Sequence, residues 1–373
     1  MKTDGIELIK QVEEKISSVR TRSLDLSFNE LLDMYKDEEL VINPEYQRLF
    51  RWSEGKQSRF IETLLLELPI PPIFVIEDSE GKYELIDGLQ RISSYLNFRG
   101  ELANSTQLTL VDCDIVQELN GLTYEDLPKT LEIKLKRNFI RVEILRKESD
   151  ARLRYYMFKR LNTGGEDLSE QEIRNSSIRL LDDRFNDILI SLSGNQDFQE
   201  TIANISTEKR NQKYDQELVL RFLAFKNRGD DYIKDIRDFL TDYMELETEN
   251  IIEGKYNSES EKEIFKKTFK ILNTTMGGKI FARLSRAGNP QEGFAIYHFE
   301  AFTIGIQSSL SNINENDSDH LEKLKNLFLE IKADEGFKKL ITGGGKNTKN
   351  QFDNRVNFVR KKVESLYESE CSN

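Results

Sequence analysis

Three short segments in the first half of the chain concentrate side chains that bind anions. In LIDGLQR, residues 85–91, Asp87, Gly88, Gln90 and Arg91 fall within five positions, directly after an apolar, strand-like run. Asp87 with Gln90 three residues on is an arrangement that caps the start of a helix. A strand, a tight turn and a helix N-terminus leave backbone N–H groups turned toward an anion. Gly88 permits close approach of a ligand to the backbone, and Arg91 supplies a two-pronged phosphate donor one turn in. The same residues also read as an ordinary capped helix with a surface arginine, and spacing alone leaves both readings open.

NPEYQRLFRW, residues 43–52, places Gln47, Arg48, Arg51 and the only tryptophan, Trp52, in six residues. Arginines beside aromatic rings hold phosphates and stack on bases. Equally, Trp52 suits a core position with the arginines snorkelling around it. In FKRLNTGGEDLSEQEIRN, residues 158–175, Asn162-Thr163-Gly164-Gly165 ends one helix and Ser169-x-x-Glu172 opens the next. Gln171, Arg174 and Asn175 then offer amide and guanidinium donors at a helix start. A double glycine between helices is also commonly no more than a turn. Residues 130–160 and 335–362 each carry a net charge of +6 within a chain of −12. The second island includes Lys346, Lys349 and Arg355, candidates for a few phosphate or DNA contacts that would weaken as salt rises. A solvated basic face is the alternative.

The counts of other catalytic residue types narrow the field. With two histidines, His298 and His320, the sequence lacks the side chains of a His-Asn-His nuclease or a multi-histidine zinc hydrolase. Cys113 lies in the apolar run LTLVDCDIV and Cys371 three residues from the end of the sequence. Both read as structural, and two cysteines exclude a disulfide framework. ITGGGKNTKN, residues 341–350, imitates a phosphate-binding loop, but Asn347 follows Lys346, Leu340 stands where the first glycine is required, and a helix-like run precedes it. Glu132 and Lys134 with Asp112 or Asp114 upstream imitate a metal-dependent nuclease, a cheap match in a chain with 32% charged residues. No stretch nears the roughly 20 apolar residues of a membrane crossing, and the charged N-terminal segment is no signal peptide. A cytoplasmic protein is expected.

The elements that must position these segments follow from proline placement and periodicity. Four of the six prolines lie between residues 44 and 72, and only Pro290 lies beyond Pro128, so the second half permits long helices. IFVIED and KYELID around Ser79-Glu80-Gly81 predict a β-hairpin, and NFIRVEILR puts Ile140, Val142 and Ile144 on one strand face. A helix is expected from Ser53, with Phe60, Ile61, Leu64, Leu65 and Leu68 on one stripe, stopping at Pro69. The chain therefore reads as α+β: an N-terminal helix over 1–20, a mixed α/β domain over 20–178 and an all-α domain over 179–373. Ser258-x-x-Glu261 is a further capping box, and the aromatic pairs Phe265/Phe269 and Phe294/Phe299, with His298, read as core.

NPEYQRLFRW, the LLLELPIPPIFV connection, LIDGLQR and FKRLNTGGEDLSEQEIRN together resemble, in order and spacing, the N-terminal domain of GmrSD-type modification-dependent restriction systems, a domain similar to the ParB/sulfiredoxin fold. The resemblance covers roughly residues 20–180. It implies nucleoside triphosphate binding and hydrolysis coupled to control of a nuclease in antiphage defence. The family's Asp-Gly-Gln-Gln-Arg hallmark is matched by Asp87, Gly88, Gln90 and Arg91, with Leu89 in place of the first glutamine. It implies catalytic roles for Asp87, Gln90 and Arg91. Asp87 would hold Mg²⁺, Gln90 orient the attacking water, and Arg91 with Arg48 meet the phosphates. Gln47, Arg51, Gly88, Asn162, Thr163, Gly164, Gly165, Gln171, Arg174 and Asn175 would complete the nucleotide site. A separately encoded nuclease or toxin is the expected partner. A non-catalytic adaptor, antitoxin-like and sensing nucleotide or DNA, is the reading of the other class.

Overall fold

The computed structural model describes residues 8–10, 12–13, 20–42, 50–103, 105–146, 149, 156–157, 160, 169–233, 235–285 and 287–370. The chain divides into two units, Met1–Leu168 and Ser169–Asn373. The first is α+β and the second is helical.

Short apolar runs separated by turns become five strands in the first unit: β1 (Thr21–Ser27), β2 (Leu40–Val41), β3 (Ile73–Glu77), β4 (Tyr83–Asp87) and β5 (Phe139–Leu145). They form one mixed sheet in the order β1-β5-β3-β4-β2. β1 and β5, and β3 and β4, pair antiparallel, while β3 with β5 and β2 with β4 pair parallel. Alternation decides the faces of β5. Ile140, Val142 and Ile144 are buried, whereas Arg141 grips Asp25 of β1 through two bonds of 3.0 Å. The expected hairpin is β3–β4, closed by Asp78, whose carboxylate accepts from the backbone N–H of Glu80 and Lys82.

Among the described residues, 8–10 and 12–13 are helical, the rest of the expected helix over 1–20 lying outside them, and α1 (Phe28–Lys36), α2 (Glu54–Leu65), α3 (Leu89–Phe98) and α4 (Lys129–Arg137) accompany the sheet. Ser53 caps α2, and Phe60, Ile61, Leu64 and Leu65 form its buried stripe. Leu68 does not belong to that stripe. The backbone turns through Glu67 at a positive φ of 57°, which ends the helix and leaves Leu68 exposed. Cys113 is buried, and burial with nearby Glu62 pushes its thiol up to about 11, so it is structural. Cys371 lies outside the described residues.

The second unit contains α5 (Glu170–Ile178), α6 (Arg184–Ser193), α7 (Gln196–Thr201), α8 (Thr207–Asn211), α9 (Tyr214–Arg228), α10 (Ile236–Ile252), α11 (Ser258–Met276), α12 (Ile296–Gly305), α13 (Ser318–Ala333), α14 (Glu335–Ile341) and α15 (Lys349–Glu370). Its core is aromatic, with Phe198, Phe222, Phe265, Phe269, Phe281 and Phe299 fully buried. The boundary falls ten residues ahead of the expected 178/179. Helix α5 groups with the helices that follow, because Ser169 donates to the Gln212 carbonyl and Arg174 to Glu217. Its capping box forms as expected, with Ser169 and Glu172 each bonding the other's backbone N–H. At α11 the cap is Asn257 rather than Ser258. Among the described residues no helix is long and apolar enough to cross a membrane.

Candidate functional site

The β4–α3 corner is built by glycine. Gly88, at φ 102°, is the left-handed residue between strand and helix, and it occupies the N-cap position without any side-chain cap. A Cβ there would lie 2.3 Å from Ile73 Cγ2, so both the backbone sign and the packing require glycine. This corrects the expectation that Asp87 caps α3. Asp87 is the last residue of β4, and its side chain accepts instead from Arg91 Nη2 at 2.8 Å. Leu89, where the family's hallmark has glutamine, is buried in the core.

Arg91 is held on two sides. Its Nη2 also donates to the Pro72 carbonyl at 3.0 Å, while its Nε is a buried donor without a hydrogen-bond partner. The corner therefore presents an uncapped helix N-terminus, a carboxylate and a guanidinium within one turn. An anion seated there would meet the N–H groups of α3 and the helix dipole. A magnesium ion bound with a triphosphate needs only one or two protein carboxylates, because phosphates and water complete its shell. Asp87 fits that requirement. Among the described residues no group of three His, Cys, Asp or Glu could hold a metal ion by itself.

The structure brings two of the three sequence segments together. Gln90 Oε1 accepts from the backbone N–H of Arg51 at 3.0 Å and of Trp52 at 3.1 Å. At the other backbone group of Trp52, Gln57 Nε2 donates to its carbonyl at 2.8 Å, and Asn97 Nδ2 donates to Gln57 Oε1 at 2.9 Å. The end of the NPEYQRLFRW segment is thus pinned against α2 and α3, with the Trp52 ring packed edge-on to Phe60. Gln90 is a positioning residue here, since its carbonyl oxygen carries two backbone donors rather than a water. Gln57, Asn97 and Pro72 were not expected from the sequence. Gln57 has a legible signal, as a polar residue three and four positions before Phe60 and Ile61 of the buried stripe. The Pro72 carbonyl has none. Gln47, Arg48, Asn162, Thr163, Gly164 and Gly165 lie outside the described residues.

The donors of the third segment are placed differently. Gln171, Arg174 and Asn175 are buried within the second unit and are not presented at an open helix start. Gln171 bonds Asn175 at 2.8 Å, Asn175 bonds Gln216 at 2.6 Å, and Arg174 bonds Gln171 at 2.9 Å and Glu217 at 2.8 Å. From Glu217 the network continues to Arg221 at 3.2 Å, then to Glu300 at 2.7 Å and on to Arg355. Three guanidinium and two carboxylate groups so alternate through α5, α9, α12 and α15. Burial draws the Arg174 guanidinium below its ordinary value, with Glu217 opposing. At Arg221 burial also opposes the charge, but Glu300 and Glu217 outweigh it and raise the value.

Arg355 is accordingly no surface phosphate contact. It is fully buried, pairs with Glu300, donates to the Lys346 carbonyl at 2.8 Å and lies over the Tyr297 ring. Lys346 bonds the Lys339 carbonyl and Lys349 bonds Asp353, both partly exposed in the loop and helix start after α14. The nuclease-like set also dissolves, since Glu132 bonds Lys129 while Asp112 Oδ2 sits against Gly55. His298 is a core residue, its ring beside Phe302 and Phe337, and burial with the charges of Lys332 and Arg283 lowers its pKa to about 3.

A glycine-made strand-to-helix corner on a mixed sheet, with an acid–guanidinium pair at the helix start, marks the first unit as an α+β domain. Residues 28–179 match the model of the GmrSD restriction endonuclease N-terminal domain, and this stretch of the chain belongs to that family. The chain therefore carries a domain of a restriction-type defence component. The family segment ends inside the second unit, at the end of α5. No curated protein and no solved structure matches the chain.

Proposed function

We propose that the first unit, a ParB-like module, binds a nucleoside triphosphate with Mg²⁺ at the β4–α3 corner, hydrolyses it, and thereby controls a nuclease or toxin encoded separately. The observation that carries this reading is the buried, unpartnered Nε of Arg91 beside an uncapped helix N-terminus. A phosphate oxygen accepting from that Nε would satisfy a donor that the fold leaves orphaned. Asp87 would exchange its bond to Arg91 for the metal, and the guanidinium so released would turn to the phosphates. Bound Mg²⁺ would neutralise charge on the phosphates. The chain's own residues supply orientation: Gly88 allows the approach, and Gln90 fixes residues 51–52 at the rim.

A second reading has its own support. The closed Asp87–Arg91 pair and the occupied Gln90 carbonyl favour a module that binds nucleotide without turning it over, an adaptor whose fold responds to the ligand. Purified protein is incubated with Mg²⁺ and each of the four ribonucleoside triphosphates, alongside Asp87→Ala and Arg91→Ala. Phosphate release that both substitutions abolish in folded protein establishes hydrolysis. A melting shift without release establishes the adaptor. Neither signal, with variants as stable as wild type, removes nucleotide from the function.

A further inference from the structure

The second unit holds a cavity of its own, with a volume of about 640 Å³. It lies between the end of α9 with the turn Gly229–Asp231, the end of α12 and one face of α15. Pockets for small molecules occupy roughly 300–1,000 Å³, so the size suits a metabolite. Phe225, Ile304, Phe352 and Val356 contribute apolar surface, and Gln307, Asn357 and Arg360 contribute polar surface.

The charges around this cavity are matched with one exception. Arg228 bonds Asp231 at 3.1 Å, and Lys226 bonds Glu261 at 2.9 and 3.0 Å. Lys349 bonds Asp353 at 3.1 Å and lies 3.6 Å from Asp230. Arg360 has no carboxylate partner among the described residues. Its single hydrogen bond among them runs from Nη1 to Asn357 Oδ1 at 3.2 Å, while its Nε is buried without a partner. The Nε–Nη2 edge of the guanidinium is therefore unbonded, and that edge gives an oxyanion two parallel bonds. Asn357 Oδ1 is committed to Arg360, which leaves the Asn357 amide nitrogen as a further donor beside it.

The geometry points to a binding site for a small hydroxylated phosphomonoester, its phosphate on Arg360 and Asn357 and its hydroxyls donating to Asp231 and Asp353. A phosphate has a third oxygen for the amide nitrogen, where a carboxylate has only two to give the guanidinium. Asp231 and Asp353 each bond a cation through one oxygen, so the other oxygen can accept from a hydroxyl. Those carboxylates, with the fully exposed Asp230, repel any further phosphate. The cavity thus favours a ligand with one anionic group over a nucleic-acid backbone.

The test is isothermal titration calorimetry of the full chain in phosphate-free buffer, with ribose 5-phosphate, inorganic phosphate and ribose as probes. Ribose 5-phosphate is expected to bind with a sub-millimolar Kd, at least about fivefold tighter than inorganic phosphate or ribose alone. Arg360→Gln should weaken it by about tenfold or more without lowering the melting temperature, because no ion pair is lost. Asn357→Asp hands Arg360 a carboxylate of its own, and should abolish binding while keeping or raising stability; this variant carries the test if Arg360→Gln does not fold. Arg91→Ala should leave ribose 5-phosphate binding unchanged, which separates the cavity from the β4–α3 corner. No binding at about 5 mM overturns the proposal, since affinity that weak leaves the guanidinium edge unused. Binding indifferent to both α15 substitutions, or abolished by Arg91→Ala, overturns it as well. Inorganic phosphate binding as tightly as ribose 5-phosphate would overturn the role given to the carboxylates. A fluorescent single-stranded oligonucleotide that binds where ribose 5-phosphate does not, and is released by Arg360→Gln, would assign the cavity to nucleic acid instead.

Discussion

Gly88→Ala is the substitution whose cost can be worked most directly from the geometry. The backbone there has φ 102°, and the added methyl would sit 2.3 Å from Ile73 Cγ2 and 2.9 Å from Ile73 Cβ. Holding a non-glycine residue at positive φ costs about 1–2 kcal/mol. Ile73 is fully buried on β3, a strand flanked by β4 and β5, and is itself paired to Val142 of β5, so it has little room to yield. Forcing extra carbon into a packed core adds about 1–3 kcal/mol. The total, about 2–5 kcal/mol, corresponds to a fall of roughly 4–20 °C in the melting of a domain this size. Differential scanning calorimetry of the full chain reads it, assigned to the first unit by limited proteolysis after partial heating. The two causes separate in a double-mutant cycle: Ile73→Ala removes the Cγ2 overlap, so the pair should cost about 1 kcal/mol or more less than the sum of the singles. A Gly88→Ala protein melting within a degree of wild type would refute the account of the corner. So would a fully additive cycle, which would leave the backbone sign as the only cause.

Two further substitutions probe the second unit. Glu300→Gln leaves Arg221 and Arg355 buried without their shared carboxylate, and should cost about 3–5 kcal/mol in chemical denaturation; a loss below about 1 kcal/mol would mean water already screens the network. His298 stays neutral in the folded protein down to about pH 3, whereas the unfolded side chain takes up a proton near 6.5. Its contribution therefore falls as pH drops from 6.5 toward 3, by on the order of 2 kcal/mol at pH 5. Measured as the difference between wild type and His298→Phe, this gap should grow on acidification, and a pH-independent gap would sink it.

Apolar periodicity was enough to foresee the hairpin, strand β5, helix α2 and the long helices of the second unit. Strand alternation at Ile140, Val142 and Ile144, and the 3.6-residue recurrence of Phe60, Ile61, Leu64 and Leu65, are local properties that survive folding unchanged. Leu89 was legible for the same reason, since its spacing to Ile92 and Leu96 puts it on the inner face of α3.

Polar side chains were less readable, because their role depends on what the rest of the chain brings to them. Asp87 carries every local mark of a helix cap, yet the positive φ of Gly88 shifts the cap by one residue and turns the carboxylate to Arg91. Gln171, Arg174 and Asn175 look like ligand donors at the start of a helix. They are buried instead, because Gln216 and Glu217 of α9, more than forty residues on, offer matching partners in a place without water. Arg355 sits in a basic stretch and is hidden by Glu300, which no spacing rule connects to it. The sequence by itself determined the family of its first half, the β3–β4 hairpin, β5, α2 and the helical character of the second unit, and the sign of the charge along the chain. Only the tertiary structure decided which of its arginines are neutralised inside, because a buried charge is fixed by partners that come from distant parts of the chain.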